Sequence, residues 1–291
     1  MEIAGVVVAV DGSPSSLLAV DWAADEAYRR GLGLRLVHAS VRERYEQGVE
    51  DDGDPDSERK LVQELLSTAA ERAETRCPGL QLVTEVLAAE PVTALLELIR
   101  PSPLLVMGSR GRGGFHGLLL GSVGLRVAAR ATFPVTVVRT AGERIDRPRR
   151  RVVLALGPHE AAAATEFAVG EAILRWADLH VVHARTGDPA GAAALMDTVV
   201  EHAAKLLDAA AAQQTGTFQV QVVRETAPGP PAGLLLQEAA SAELVVVGAH
   251  RHPGHRGLQL GPVNHAMLLY APCPVAVVAG TPLPDESGQA A

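Results

Sequence analysis

Short, unbroken apolar runs alternate along the chain with longer stretches in which apolar residues recur every three or four positions. In the first half, the runs over 4–10, 34–39, 80–87, 103–108 and 134–138 predict strands. The intervening stretches 14–30, 58–76, 91–100 and 122–131 predict helices. Runs such as Val6-Val7-Val8-Ala9-Val10 show no polar alternation, so both faces of those strands are covered, as in a parallel sheet. Strand and helix in strict alternation impose right-handed crossovers and an open, doubly wound α/β sheet. Pro14 and Pro91 fall where a helix's first turn tolerates proline, and Gly31 follows the first helix as a C-terminal cap. Residues 43–60 are acidic with Gly and Pro, and read as an exposed loop.

The pattern occurs twice. Leu36-Val37-His38-Ala39 corresponds to Val181-Val182-His183-Ala184 at an offset of 145, and Asp11 falls opposite Leu156 at the same offset. The offset then drops to 140, where Leu105-Val106-Met107-Gly108 meets Val245-Val246-Val247-Gly248 and Pro134-Val135-Thr136 meets Pro274-Val275-Ala276. A period this long fits a duplicated domain rather than a solenoid. The expected domains are 1–140 and 151–280, joined by an Arg-rich polar linker over 140–151.

Composition narrows the function. The chain of 291 residues carries a net charge of −8 and only 3% aromatics, so it lacks the cationic surface and stacking platforms of nucleic-acid binders. Cys77 and Cys273 stand alone, which excludes a disulfide framework or a Cys-type zinc site and suits a reducing compartment. The longest apolar helical stretch, 161–182, is broken by Glu166, Glu171, Arg175 and Asp178, so no membrane span is expected. The N-terminal run is cut by Asp11 and reads as a first strand rather than a signal segment. Together these features describe a soluble, cytoplasmic protein.

In an open α/β sheet the ligand crevice lies beyond the carboxyl ends of the strands, where strand order reverses. Two loops belong there: Asp11-Gly12-Ser13 after the first strand, and the glycine-rich 108–117 after the fourth, with five glycines in ten residues. Bare backbone of this kind wraps an anion closely, and Gly121-Ser122 then opens a helix whose N-terminus suits phosphate. Arg110 and Arg112 add donors and charge. No GxxxxGK[ST] occurs, and the turn after the first strand is DGSP rather than GxGxxG.

The spacing G-x2-G-x9-G-S in Gly108, Gly111, Gly121 and Ser122, with Asp11 ending the first strand and a closing PVTVV strand, resembles the nucleotide-binding branch of the universal stress protein family. The resemblance covers nearly the whole chain as a tandem pair. It implies two Rossmann-like, adenine nucleotide alpha hydrolase-like domains, each a five-stranded parallel sheet of order 3-2-1-4-5 with helices on both faces. It also implies ATP bound across strands one and four, with Mg²⁺ compatible. Asp11 then contacts the adenosine, Ala9, Val10 and Ala39 line the base pocket, and Met107 to Gly111 with Gly121, Ser122 and Val123 wrap ribose and phosphates. Arg110 is assigned to the phosphates on electrostatic grounds.

Between Gly108 and Val123 there is no Asp or Glu to orient an attacking water or hold a metal. With the stress context that the resemblance implies, the expectation is a stress-response regulator that uses bound ATP as a state marker, with slow or no hydrolysis, rather than a fast enzyme. The alternative is an adenylating or other adenine-nucleotide-dependent enzyme on a related fold, which DGSP serves poorly as a pyrophosphate loop. A third reading is a purely structural dimer without nucleotide. His38 and His183 read as packed or backbone-bonded, Ser13 as a helix cap, and Trp22 and Trp176 as core. His250, His252 and His255 read as loop rather than a metal site, as does the acidic 43–60 stretch. The second half has Leu156, Arg251 and Pro262 where the first has Asp11, Gly111 and Ser122, so its site is expected to be degenerate. The short last strands of each half are expected at sheet edges; the resemblance implies that the halves pair through them into a pseudo-dimer, and a homodimer of chains is expected beyond that.

Overall fold

The computed structural model describes residues 5–39, 55–97, 104–111, 120–139, 151–157, 162–185, 189–213, 220–249 and 260–280. The chain divides into two units, Met1–Thr140 and Ala141–Ala291.

In the first unit β1 (Gly5–Ala9), β2 (Gly33–Ala39), β3 (Leu82–Leu87), β4 (Leu105–Gly108) and β5 (Val135–Val138) form a parallel sheet ordered β3-β2-β1-β4-β5. Between them run α1 (Pro14–Arg30), α2 (Pro55–Arg76), α3 (Pro91–Glu97) and α4 (Ser122–Arg130). The second unit repeats this with β6 (Arg151–Leu156), α5 (Ala162–Arg175), β7 (Asp178–Arg185), α6 (Pro189–Gln213), β8 (Val222–Pro228), α7 (Pro231–Ala239), β9 (Leu244–Ala249), α8 (Pro262–Tyr270) and β10 (Val275–Ala279), ordered β8-β7-β6-β9-β10. The α/β class and the 3-2-1-4-5 order are those expected from the apolar runs and the family resemblance. One boundary differs. Helix α2 begins at Pro55, inside the stretch read as loop, because proline at the first helical position and acids in the first turn favour a helix start.

The central strands are covered on both faces: Val6, Val7, Val8, Leu105 and Val106 are all fully buried. Helix α1 shows how local sequence sets an element. Ser13 caps it by accepting from the Ser16 amide, Pro14 takes the first position, and Gly31 closes it in the left-handed region at φ 63°. Its one buried charge, Glu26, is matched one turn on by Arg30 Nε at 2.6 Å. Helix α5 repeats the device with Glu171 and Arg175, both buried. Its end differs: Trp176 occupies the left-handed position of Gly31, at φ 53°, and is 63% exposed. The expected core role of Trp176 is therefore wrong, since the residue just past a helix end escapes the helical periodicity that would bury it. Trp22 is half-buried on α1.

Helix α2 is clamped to α1 by two bidentate pairs, Arg72–Asp21 at 2.6 Å and Arg76–Asp25 at 2.6–2.7 Å. The Cys77 thiol beside them is pushed up by burial and then by the Asp25 charge. Both cysteines are buried thiols outside any disulfide. Among the described residues, no helix is long and apolar enough to cross a membrane.

Candidate functional site

Strand order in the first unit reverses between β1 and β4, whose parallel pairing sets Val7 opposite Leu105 and Val8 opposite Val106. Beyond their carboxyl ends opens a cavity of about 520 Å³, within the usual range for small-molecule pockets. Ala9, Val10, Asp11, Ala39, Met107, Gly108, Arg110, Gly111, Gly121, Ser122 and Val123, all singled out in the sequence, line it together. Ser16, Val37, His38, Pro91, Leu95 and Gly124 complete the wall and were not assigned. Arg112 and the rest of the glycine-rich loop to 119 lie outside the described residues.

One end of the cavity is built from backbone. Gly121 caps α4 in an extended conformation (φ −71°, ψ 150°) with no side-chain hydrogen bond to the first turn, so that turn keeps its amides for a ligand. No acid occupies the first turn, and the positive end of the helix dipole faces an anion unopposed. The loop leading there is pinned at three points. Ser109 donates its amide to Val138 O at 2.8 Å, and its carbonyl accepts from the Gly121 amide at 2.7 Å. The Arg110 peptide is held by serines of the α1 start: Ser13 Oγ donates to Arg110 O at 3.0 Å, as does Ser15 Oγ, and Ser15 Oγ accepts from Arg110 N at 3.1 Å.

Two glycines of the loop stand in close approaches: a side chain at Gly108 would meet backbone, and one at Gly111 would displace the Asp11 carboxylate. A Cβ on Gly108 would lie 2.6 Å from Ser15 C and 2.7 Å from Ser16 N, both backbone atoms. On Gly111 it would lie 2.6 Å from Asp11 Oδ2. The Asp11 carboxylate thus stands against the glycine-rich loop. Its other oxygen accepts from the Ser13 amide at 3.0 Å, and Gly12 between them turns at φ 77°.

At the other end the wall is more apolar, with Val37, Pro91 and Leu95. His38 Nδ1 lies 2.7 Å from Val10 O, so the ring is tethered to the backbone as expected. Glu90 sets the start of α3: its carboxylate accepts from Thr93 N at 2.9 Å and from Thr93 Oγ1 at 3.1 Å. Burial pushes the Glu90 carboxyl up, but these bonds and the Val92 amide outweigh it and hold it below its ordinary value. Just after β5, Arg139 is held below its ordinary value by burial and then by the Arg110 charge. Among the described residues no group of His, Cys, Asp and Glu is arranged for a metal ion. The 43–54 loop and the 250–255 histidines lie outside the described residues.

The second unit lacks most of this. Val7 sits opposite Leu105 and Arg35, while Val153 sits opposite Val245 and His180. The first strands therefore superpose at an offset of 146, and the residue matching Asp11 is Gly157, not Leu156. The histidine tether agrees: His183 Nδ1 lies 3.1 Å from Leu156 O, as His38 does from Val10 O. The acid is lost either way. Pro262 starts α8 where Ser122 starts α4, removing a hydroxyl and an amide donor. Asn264 replaces Gly124, and its Nδ2 donates to Gly248 O at 2.8 Å, over the end of β9.

Residues 4–139 and 148–279 each match the model of the universal stress protein family. The chain is 34% identical over 289 residues to the universal stress protein Rv2005c of Mycobacterium tuberculosis, covering 94% of this chain and 96% of that one. A universal stress protein of Archaeoglobus fulgidus, 19% identical, shares the fold with a TM-score of 0.70 over 95% of this chain and 96% of that one. A universal stress protein solved in complex with cAMP is 30% identical and covers 48% of this chain and 100% of its own, with a TM-score of 0.38.

Proposed function

The chain belongs to the universal stress protein family, and we propose that its first unit binds ATP and uses it as a state marker in a stress response. The observation that carries this reading is the cavity at the β1/β4 reversal, where uncapped helix amides and bare glycine backbone meet a single carboxylate. The donor set fits the nucleotide. Gly111, Ser122 and Val123 amides and the Ser122 hydroxyl receive the phosphates, with Arg110 adding charge. Asp11, between loop and strand, takes the ribose hydroxyls. Val10, Val37, Ala39 and Leu95 enclose the base.

Bound ATP supplies a polyanion and a hydrolysable anhydride. The chain's own residues hold the polyanion and do little else. No Asp or Glu occurs between Gly108 and Val123, and Asp11 already accepts from Ser13. Water therefore lacks a positioned base, and hydrolysis is slow or absent. The second unit, with Gly157, Pro262 and Asn264 at the matching places, is vacated. One nucleotide per chain follows.

Equilibrium dialysis of nucleotide-stripped protein tests this, with chromatography identifying what heat-denatured protein releases. ATP at about one per chain is expected. Asp11→Ala is expected to weaken it by about 1–3 kcal/mol, the worth of hydrogen bonds to a charged group. Two nucleotides per chain, or none, would refute the reading. Pyrophosphate exchange by the purified protein would instead favour an adenylating enzyme. The reading includes a homodimer of chains, which light scattering measures.

A further inference from the structure

The peptide joining Arg110 to Gly111 is gripped from the α1 side. Its carbonyl accepts from Ser13 Oγ and Ser15 Oγ, whose hydroxyls lie 3.3 Å apart. Each hydroxyl's single proton goes to the same oxygen, occupying both of its lone pairs. Ser15 Oγ also accepts from the Arg110 amide, so that residue is held at both polar atoms. A trans peptide is planar, with its C=O and N–H on opposite edges. Fixing the Arg110 carbonyl against α1 therefore turns the Gly111 N–H away from α1. Gly111 lines the cavity, and its nitrogen lies 3.6 Å from where a Gly121 Cβ would stand, beside the start of α4.

Gly111 has no side chain to resist rotation of this peptide, so its orientation depends on what holds the carbonyl. We infer that Ser15, assisted by Ser13, is a positioning residue that locks the 110–111 peptide with its N–H toward the cavity, where it joins the α4 amides in receiving the terminal phosphates. Released, the peptide is free to turn over and present its carbonyl oxygen, which repels phosphate. The serines thus set the sign of the dipole that the loop offers to an anion. The matching stretch of the second half, Gly157-Pro158-His159-Glu160-Ala161, holds no serine or threonine. The inference rests on the nucleotide reading above.

The test compares wild type, Ser15→Ala and Ser15→Thr by calorimetry with ATP and with adenosine. Protein labelled with ¹⁵N-glycine reports the Gly111 amide on addition of inorganic tripolyphosphate. Ser15→Ala is expected to lose about tenfold to a hundredfold in ATP affinity, the size of one hydrogen bond to a charged group, with adenosine affinity unchanged. Ser15→Thr restores the hydroxyl and is expected to recover ATP affinity. Tripolyphosphate is expected to shift the Gly111 amide in wild type and Ser15→Thr, and not in Ser15→Ala. Unchanged ATP affinity in Ser15→Ala, or equal losses for ATP and adenosine, would overturn the inference. A wild type that binds ATP while its Gly111 amide ignores tripolyphosphate leaves the nucleotide reading standing and removes this one. A wild type that binds neither ATP nor adenosine removes both.

Discussion

Gly108→Ala adds one methyl group where β4 passes close against the backbone of α1. The new Cβ would meet Ser15 C at 2.6 Å, Ser15 O at 2.7 Å and Ser16 N at 2.7 Å. Ordinary contacts between carbon atoms lie at about 3.5–4.0 Å, so α1 and β4 would have to part by about 1 Å. Strand β4 cannot yield, because Leu105 and Val106 pair with β1 while Met107 and Gly108 pair with β5. Moving α1 instead draws Ser15 off the Arg110 peptide. Overpacking of this kind costs about 1–3 kcal/mol, and each lost hydrogen bond about 1 kcal/mol more. A total near 3–4 kcal/mol is expected, which is roughly a 10–15 °C fall in melting temperature for a unit of this size. The chain has two tryptophans, one per unit. With Trp176→Phe as background, Trp22 fluorescence follows the first unit alone through a urea titration. Gly121→Ala is the control, since its Cβ would meet nothing closer than 3.6 Å, and it is expected to cost under ~1 kcal/mol as a change of cap. A Gly108→Ala protein within ~0.5 kcal/mol of its parent would refute the steric reasoning.

Three further outcomes are expected. Gly170 lies inside α5 with open space where its Cβ would be; Gly170→Ala should stabilise the second unit by about 0.5–1 kcal/mol, measured by thermal circular dichroism. Trp176→Gly should relieve the left-handed strain and raise stability by about 1 kcal/mol by the same measurement. In the cluster of Arg151, His180, Glu225 and Glu238, the Glu238 carboxyl is raised by burial and then by Glu225. Burial also pushes Glu225 up, but hydrogen bonds from His180 and Glu238 and the Arg151 charge bring it below its ordinary value. The raised Glu238 contributes stability below its unfolded value near ~4.3 and loses it as pH rises through the folded one. Glu238→Gln should remove that loss, matching wild type near pH 4 and exceeding it above, by no more than about 1 kcal/mol after solvent screening. Urea titrations from pH 4 to 8 decide it, and a variant that tracks wild type throughout contradicts the assignment.

Much of the architecture was legible because apolar period and chain order are enough to set a parallel sheet. Pro14, Gly31 and Pro91 marked helix boundaries through backbone chemistry that needs no tertiary context. The loops after β1 and β4 were legible for a related reason, since the ends of adjacent parallel strands converge wherever strand order reverses, while Ala9, Val10 and Ala39 came from the family resemblance. What escaped was tertiary. Ser15 meets Arg110 across 95 residues of sequence, and no local pattern announces such a bond. The one-residue slip at β6 escaped because runs of Val, Leu and Ala look alike when shifted by one, and only pairing partners fix the register. Trp176 was misplaced because helical periodicity says nothing about the residue just beyond the last turn.

The imidazole tethered to a carbonyl at the end of β2 recurs at the end of β7, in a unit whose crevice has lost its acid and its first helix amide. A duplicated chain is in this sense its own control experiment. If only the first unit holds nucleotide, as proposed, whatever both copies keep was retained without help from a ligand: the histidine tether, the buried Glu26–Arg30 and Glu171–Arg175 couples, and the glycines near the end of the fourth strand and opening the helix that follows. What the described part of the second copy drops while keeping the same strand order belongs with the ligand instead: the carboxylate of Asp11 and the hydroxyl and amide of Ser122. Subtracting one half from the other separates architecture from occupation, and the histidine falls on the side of architecture.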